Sequence, residues 1–184
     1  MAEVVVPPEA AALIEVLNSR HLGPRPDLLS DPDRATRMLT RAGLGPPDTR
    51  LEPESLAALR TARDALNDVL DDTLDEPSHE HAWGTIDQVA AGVGLTLRLA
   101  AGPTARLRPA ADLGSGETVL AEFLIRLHQA ITSGSLRRLR RCANPVCDIA
   151  FYDGTRSRTQ RWHSYARCGN RCNVAAYRSR ARPH

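Results

Sequence analysis

Four cysteines lie within the last 43 residues of this 184-residue chain, and they constrain its fold more than any other feature. They are Cys142, Cys147, Cys168 and Cys172. Between the first two stands Asn144-Pro145, a turn-forming dipeptide that can direct both thiolates at one ion. In a chain without a secretory leader, paired cysteines bind metal more often than they form disulfides. The C-terminal segment is therefore predicted to hold one structural zinc ion.

The C-terminal segment also has too few apolar side chains to form a core of its own. From Cys142 onward they are essentially Ile149, Phe151, Trp162, Tyr165, Val174 and Tyr177. Segments this small usually need a metal ion or another cross-link to fold. We predict a cysteine knuckle, a hairpin that turns at Asp153-Gly154, and a helix from about Asn170, which together make a treble-clef-like module.

Five side chains compete for the four positions around the ion. Cys142 and Cys147 form one pair. The second pair is either His163 with Cys168 or Cys168 with Cys172, one helical turn apart. Both sets suit tetrahedral zinc, so spacing alone leaves the fourth ligand open.

Charge divides the chain at the same point as the cysteines. All 24 basic residues are arginine, and the formal net charge of the whole chain is only +2. Residues 137–184 contain twelve arginines and two acids, a net charge of +10, whereas residues 1–136 carry −8. Such asymmetry indicates an anionic partner for the C-terminal part. We divide the chain accordingly into domains of residues 1–136 and 137–184.

The N-terminal part is predicted to be mainly helical. Apolar residues recur at three- and four-residue steps, most clearly from Pro53 to Leu74. Further helices are predicted over 9–19, from Asp31 as N-cap, from Ser78 as N-cap to Val89, and from Ser115 to Gly134.

One segment of the N-terminal part changes to strand periodicity. Leucines and arginines alternate over residues 95–99 and 105–109, on either side of Gly102-Pro103, which predicts a β-hairpin. The fold class is therefore α+β. The N-terminal part carries no phosphate-binding loop, nucleophile elbow or dinucleotide fingerprint.

The C-terminal motifs resemble those of the CGNR zinc-finger family. They are the run Cys168-Gly169-Asn170-Arg171, the run Arg141-Cys142-Ala-Asn-Pro-Val-Cys147, and the run Arg161-Trp162-His163-Ser164. In that family the finger follows an ABATE-type domain of proposed stress-induced transcription regulators. More weakly, Val16-Leu17-Asn18-Ser19 is similar to the start of that domain.

The resemblance implies a choice among the ligands. The family usually has cysteine where this chain has His163, and imidazole replaces thiolate readily in such sites. The position of Cys172 is usually not a ligand in the family. The resemblance therefore implies Cys142, Cys147, His163 and Cys168 as the zinc ligands.

The function that follows is a DNA-binding transcription regulator, with arginines contacting phosphates and bases. The candidate contacts are Arg156, Arg158, Arg161, Arg171, Arg178, Arg180 and Arg182. A homodimer and a small-molecule effector of the N-terminal domain are compatible with this hypothesis of a regulator. The alternative is a protein-interaction or autoinhibitory module without nucleic acid, in which the basic segment docks on Asp68, Asp71 and Asp72.

Other classes of function fit the sequence less well. A zinc ion with four protein ligands has no open position for water, so we expect no enzyme activity. No apolar run is long enough to cross a membrane and no leader is visible, so we expect a cytoplasmic protein.

Overall fold

The computed structural model describes residues 5–20, 25–45, 51–100 and 104–180. Within them the chain forms six α-helices and two small antiparallel hairpins, which confirms the α+β class. The helices are α1 (Pro8–Leu17), α2 (Pro32–Arg41), α3 (Pro53–Val69), α4 (Glu76–Ala91), α5 (Ser115–Ser133) and α6 (Asn170–Arg180). The strands are β1 (Leu95–Ala100), β2 (Thr104–Pro109), β3 (Leu139–Arg141) and β4 (Ala150–Tyr152).

The main core lies among α1, α2, α3 and α5. Phe123 is its largest fully buried side chain, and it is surrounded chiefly by leucines such as Leu13, Leu17, Leu59 and Leu66. Two residues of the C-terminal segment, Leu139 and Ala150, belong to this same cluster. The main core therefore extends across the division that charge suggests at residue 137.

The helix starts follow local capping chemistry. The Asp31 carboxylate accepts the Arg34 amide, as predicted, and Pro32 opens α2. Helix α4 starts earlier than the prediction that placed its N-cap at Ser78, because the Asp75 carboxylate accepts the Ser78 amide. Helix α5 begins at Ser115, so its N-cap is one residue earlier than predicted.

Helix α3 ends five residues before the predicted Leu74. The Asp71 carboxylate accepts both the amide and the hydroxyl of Thr73, at 3.0 and 2.6 Å. Such local side-chain hydrogen bonds compete with helical ones and turn the chain. The turn places the carboxylates of Asp71 and Asp72 beside the C-terminal segment.

The two hairpins differ in how well the sequence predicts them. The ladder of β1 and β2 runs from Leu95 opposite Pro109 to Ala100 opposite Thr104, as predicted. The second hairpin is not where it was predicted: β3 pairs with β4, Leu139 opposite Tyr152, and its connection is the Cys142–Cys147 knuckle itself. Asp153-Gly154 follows the second strand instead, because Asp153 closes a loop described below.

Candidate metal centre and arginine surface

The knuckle is held by backbone hydrogen bonds at the end of β3. The Cys142 amide donates to the Ile149 carbonyl at 3.0 Å, which extends the hairpin by one step. The Cys147 amide donates to the Asn144 carbonyl at 2.8 Å, and the Asn144 side chain accepts the Val146 amide. The turn predicted at Asn144-Pro145 therefore forms and returns Cys147 toward Cys142.

The other two candidate ligands precede α6. Ser164 caps a single π-helical turn, Tyr165–Gly169, and its carbonyl accepts the Cys168 amide at 2.8 Å. Cys168 therefore lies in the turn that leads into α6, and α6 begins near Asn170 as predicted. His163 stands directly before the Ser164 cap.

The ligand atoms of Cys142, Cys147, His163 and Cys168 all lie within 4.8 Å of one another. His163 Nδ1 is 3.4 Å from Cys147 Sγ and 3.7 Å from Cys168 Sγ. In a zinc tetrahedron with Zn–S and Zn–N bonds of about 2.3 and 2.0 Å, an S···N edge measures about 3.5 Å. The donor set and its spacing therefore fit a tetrahedral zinc ion, and Cys172 is outside the cluster.

Burial sets the protonation of these side chains. Burial and the neighbouring thiols raise the pKa of Cys147 to about 12. Burial and the charge of Arg167 lower the pKa of His163, which favours the neutral form of its imidazole. Burial opposes ionisation of Cys168, but hydrogen bonds from Asn144 and the other two thiols outweigh it and lower the pKa. A metal ion must displace thiol protons here, so zinc uptake releases protons.

The candidate ligands are part of a second, small core. It consists of Cys142, Phe151 and Cys168, with Cys147 and Trp162 packed against it. The rings of Trp162 and Tyr165 meet edge to face, 5.7 Å apart. A β-carbon on Gly169 would lie 2.7 Å from the Tyr165 ring, so the glycine of the CGNR motif is required by close packing.

Asp153 organises the loop that carries two of the candidate arginines. Its side chain is fully buried and accepts the amides of Thr155 and Gln160, each at 2.9 Å. Burial raises the pKa of this carboxyl, but these hydrogen bonds outweigh it and lower the pKa. Outside the loop, Arg138 donates to the carbonyls of Asp153 and Thr155. Sequence reasoning placed Asp153 only in a turn and missed this role; a lone aspartate before glycine gives no stronger signal.

The candidate arginines that the structure describes lie in the Asp153 loop, beside Trp162 and on α6. Arg156 and Arg158 lie in the Asp153 loop, and Arg161 lies over the Trp162 ring at 5.3 Å. Arg171 and Arg178 are exposed on α6. Arg180 ends α6, and Arg182 lies outside the described residues. Arg167, exposed in the turn before Cys168, is a further cation that the prediction omitted.

A different pair of arginines joins the finger to the helical core. Arg140 pairs with Asp72 at 3.2 Å, and Arg141 pairs with Asp71 and, at 2.9 Å, with Asp148. Two of the three acids predicted as a docking surface therefore do contact basic residues. Those residues lie in β3, at the base of the finger, and are not among the candidate DNA contacts.

Fold and site together define an α+β protein with a C-terminal zinc finger. The family model for the CGNR zinc finger matches residues 138–181. The ABATE model, described as "Putative stress-induced transcription regulator", matches residues 10–145, well over half of the chain. The chain belongs to the ABATE family. A search of curated proteins finds no match.

The CGNR match and the Cys₃His cluster together support one structural zinc ion. Among the described residues, no helix combines the length and apolar character needed to span a membrane.

Proposed function

We propose that this protein is a DNA-binding transcription regulator whose zinc finger presents arginines to DNA phosphates and base edges. One observation carries the proposal: the arginines of the finger form two groups. Arg140 and Arg141 pair with acids at its base. The outer group is exposed, and no ion pair joins any member to a carboxylate within the described part of the chain. The described members are Arg156, Arg158, Arg161, Arg167, Arg171 and Arg178.

Helix geometry supports a common direction for the cations of α6. Arg171 and Arg178 are seven residues apart, which at 100° per residue places them about 20° from one another on the helix. The start of α6 adds partial positive charge beside Arg171. Guanidinium groups bind phosphate in a planar fork and can read guanine in a major groove.

Backbone conformation adds a second indication at Arg158. Its φ of +54° lies in the left-handed region, which favours glycine. An arginine held there, with its carbonyl accepting Arg140 at 3.2 Å, is fixed in place by the finger. Unfavourable backbone conformations concentrate at functional sites, so Arg158 supports a binding role for the loop.

The interaction-module alternative keeps one supporting observation, the contact between the acids and the finger. Because these ion pairs occupy Arg140 and Arg141, they favour attachment of the finger to the helical core over masking of the outer arginines. A four-ligand zinc ion further supports a non-catalytic role. A homodimer and a role in stress response stay predictions.

Salt-dependent binding tests the proposal. Zinc-loaded full-length protein is titrated into labelled mixed-sequence duplex DNA and followed by fluorescence anisotropy. With about five phosphate contacts, affinity falls roughly 10²- to 10³-fold between 50 and 200 mM salt. Arg171→Gln and Arg178→Gln should each lower the salt slope by about 1, whereas Arg37→Gln on α2 should not.

Either of two results would reject DNA binding by this surface. One is an affinity that is flat across the salt range. The other is equal binding by the α6 variants and the Arg37→Gln control. Absence of any DNA binding by the zinc-loaded chain would favour the interaction module.

A further inference from the structure

A cleft of about 620 Å³ lies between β2 and α5, away from the zinc finger. Its size is within the range of small-molecule sites. Gly43 and Gly45, which follow α2, close one side of it. Ile125 of α5, which is 4% exposed, supplies part of its wall.

The hairpin brings an unusual concentration of positive charge to this cleft. Arg98 and Arg106 stand directly opposite one another in the β1–β2 ladder, and Arg108 is two residues further along the same face. Like charges at opposed positions destabilise a strand pair. Arg106 and Arg108 line the cleft, and no ion pair in the described part of the chain neutralises them.

Helix α5 contributes a third guanidinium. Arg126 is held by Gln129 Oε1 at 3.2 Å, and its buried Nε has no hydrogen-bond partner within the described residues. A buried donor without a partner is unfavourable, and a bound acceptor would satisfy it. Among the described residues that line the cleft Glu122 is the one acid, so three guanidiniums share it with a single carboxylate.

The face of α5 toward the hairpin is also unlike a packing surface. Thr118, Glu122, Gln129 and Thr132 are spaced by four, seven and three residues, which places them on one side of α5 along the cleft. The hydroxyls of Thr118 and Thr132 donate to backbone carbonyls at 2.9 Å, and Gln129 Oε1 accepts from Arg126, so the α5 wall of the cleft is polar. Ile125 supplies a small apolar area.

We propose that this cleft binds one small organic anion, with its carboxylate or phosphate on Arg106, Arg108 and Arg126. The short apolar body of the ligand lies against Ile125. A planar guanidinium fork pairs with two oxygens of either anionic group, so both share the recognition chemistry. The bound anion relieves the repulsion across the hairpin. This site is independent of DNA binding by the finger.

Isothermal titration calorimetry on the zinc-loaded full chain tests the site with three probes. Benzoate and phenyl phosphate carry the two anionic groups, and benzamide is the neutral counterpart of benzoate. We expect at least one anion to bind saturably at one per chain and benzamide to bind at least tenfold more weakly. The preferred anion identifies the ligand as a carboxylate or a phosphate.

Variants locate the binding. Arg106→Gln is on an exposed strand position, so it should fold normally and weaken the preferred anion at least tenfold; Arg126→Gln should do the same. Arg37→Gln, an exposed arginine on α2, should leave binding within twofold. The proposal is overturned if neither anion saturates the protein by 10 mM. A dissociation constant of that size corresponds to a binding free energy of only about 3 kcal/mol. It is also overturned if Arg106→Gln binds like Arg37→Gln, or if the cleft variants weaken only DNA binding.

Discussion

Asn18 and Ala150, 132 positions apart in the chain, exchange two hydrogen bonds. Asn18 Nδ2 donates to the Ala150 carbonyl at 2.9 Å, and the Ala150 backbone amide donates to Asn18 Oδ1 at 2.8 Å. The Asn18 side chain, at the end of α1, thus makes the pair of hydrogen bonds with β4 that a neighbouring strand would make. Because successive β4 residues point to opposite sides, Ala150 belongs to the main core and Phe151 to the core of the zinc site. Helical core and finger are joined through this strand.

Asn18→Ala should destabilise the whole protein because it removes both hydrogen bonds to Ala150. Leaving backbone groups of β4 without partners costs about 1–3 kcal/mol. Urea unfolding of the zinc-loaded chain measures the change. The control is Thr85→Ala, whose exposed hydroxyl donates to the His81 carbonyl within α4, with an expected change within about 0.5 kcal/mol. Equal stabilities would show that the pair does not join the two parts.

Arg63 is a buried cation that forms an ion pair with Asp27. The guanidinium is 2% exposed and makes two hydrogen bonds of 2.7 Å to the Asp27 carboxylate. Partial burial raises the pKa of Asp27, but hydrogen bonds from Arg63 and the Leu29 amide outweigh it and lower the pKa. Asp27→Asn should reduce the free energy of unfolding at pH 7 by about 1–3 kcal/mol, because it leaves the buried guanidinium with Asp64 as its remaining carboxylate partner.

The pH dependence of stability follows from the same pair. A carboxyl with a lowered folded-state pKa stabilises the protein above its unfolded pKa of about 3.9 and loses this contribution as pH falls through the folded pKa. Wild-type stability should therefore fall below about pH 4, and the fall should be smaller in Asp27→Asn. Asp87→Asn, on the exposed surface of α4, should keep the wild-type profile. A profile in Asp27→Asn as steep as the wild type would contradict the role of the pair.

The ligand set predicts different zinc contents for two substitutions. His163→Ala removes Nδ1, which lies 3.4 and 3.7 Å from two thiols, so the purified protein should hold zinc weakly and below one ion per chain. Cys172→Ser should retain one zinc ion, since Cys172 is outside the cluster. Elemental analysis after dialysis measures both. Full zinc content in His163→Ala, with loss in Cys172→Ser, would reverse the assignment of the fourth ligand.

Gly169→Ala should destabilise the finger because the added β-carbon meets the rings of Tyr165 and Trp162 at 2.7 and 3.1 Å. Overpacking of this kind typically costs about 1–3 kcal/mol. Gly84→Ala is the matched control: no atom lies within 4 Å of its added β-carbon, and alanine favours α4 by about 0.5–1 kcal/mol. The midpoint of thermal unfolding should be lower than that of the wild type for Gly169→Ala and higher for Gly84→Ala. A Gly169→Ala protein as stable as wild type would show that the aromatic pair is loosely packed.

Local signals predicted much of the fold. Periodicity gave the main helices and the first hairpin, and the Asp31–Pro32 start of α2 follows from capping chemistry. Errors arose where a side chain redirected the backbone. Asp71 ended α3 early, and Asp153 closed a loop where a hairpin turn was predicted. Both depend on hydrogen bonds that a periodic pattern does not encode.

The site was predictable to a different degree. Cysteine spacing indicated the metal, but spacing alone left His163 and Cys172 equivalent; proximity in the fold separates them. The contacts of Asn18 and of Arg140 and Arg141 lay beyond sequence reasoning, because each joins residues more than 65 positions apart. Charge asymmetry indicated an anionic partner for the C-terminal part. It did not show which arginines form ion pairs with the acids of residues 71–72 inside the protein.

The zinc dependence of DNA binding by the full-length chain tests the central claim most directly. Anisotropy is measured at 50 mM salt for zinc-loaded protein, for protein depleted by a chelator, and after zinc is restored. We expect depletion to weaken binding at least tenfold and zinc to restore it, because the ion fixes the knuckle, the Asp153 loop and α6 relative to one another. Equal affinity with and without zinc would contradict the proposal that the metal centre organises the arginine surface.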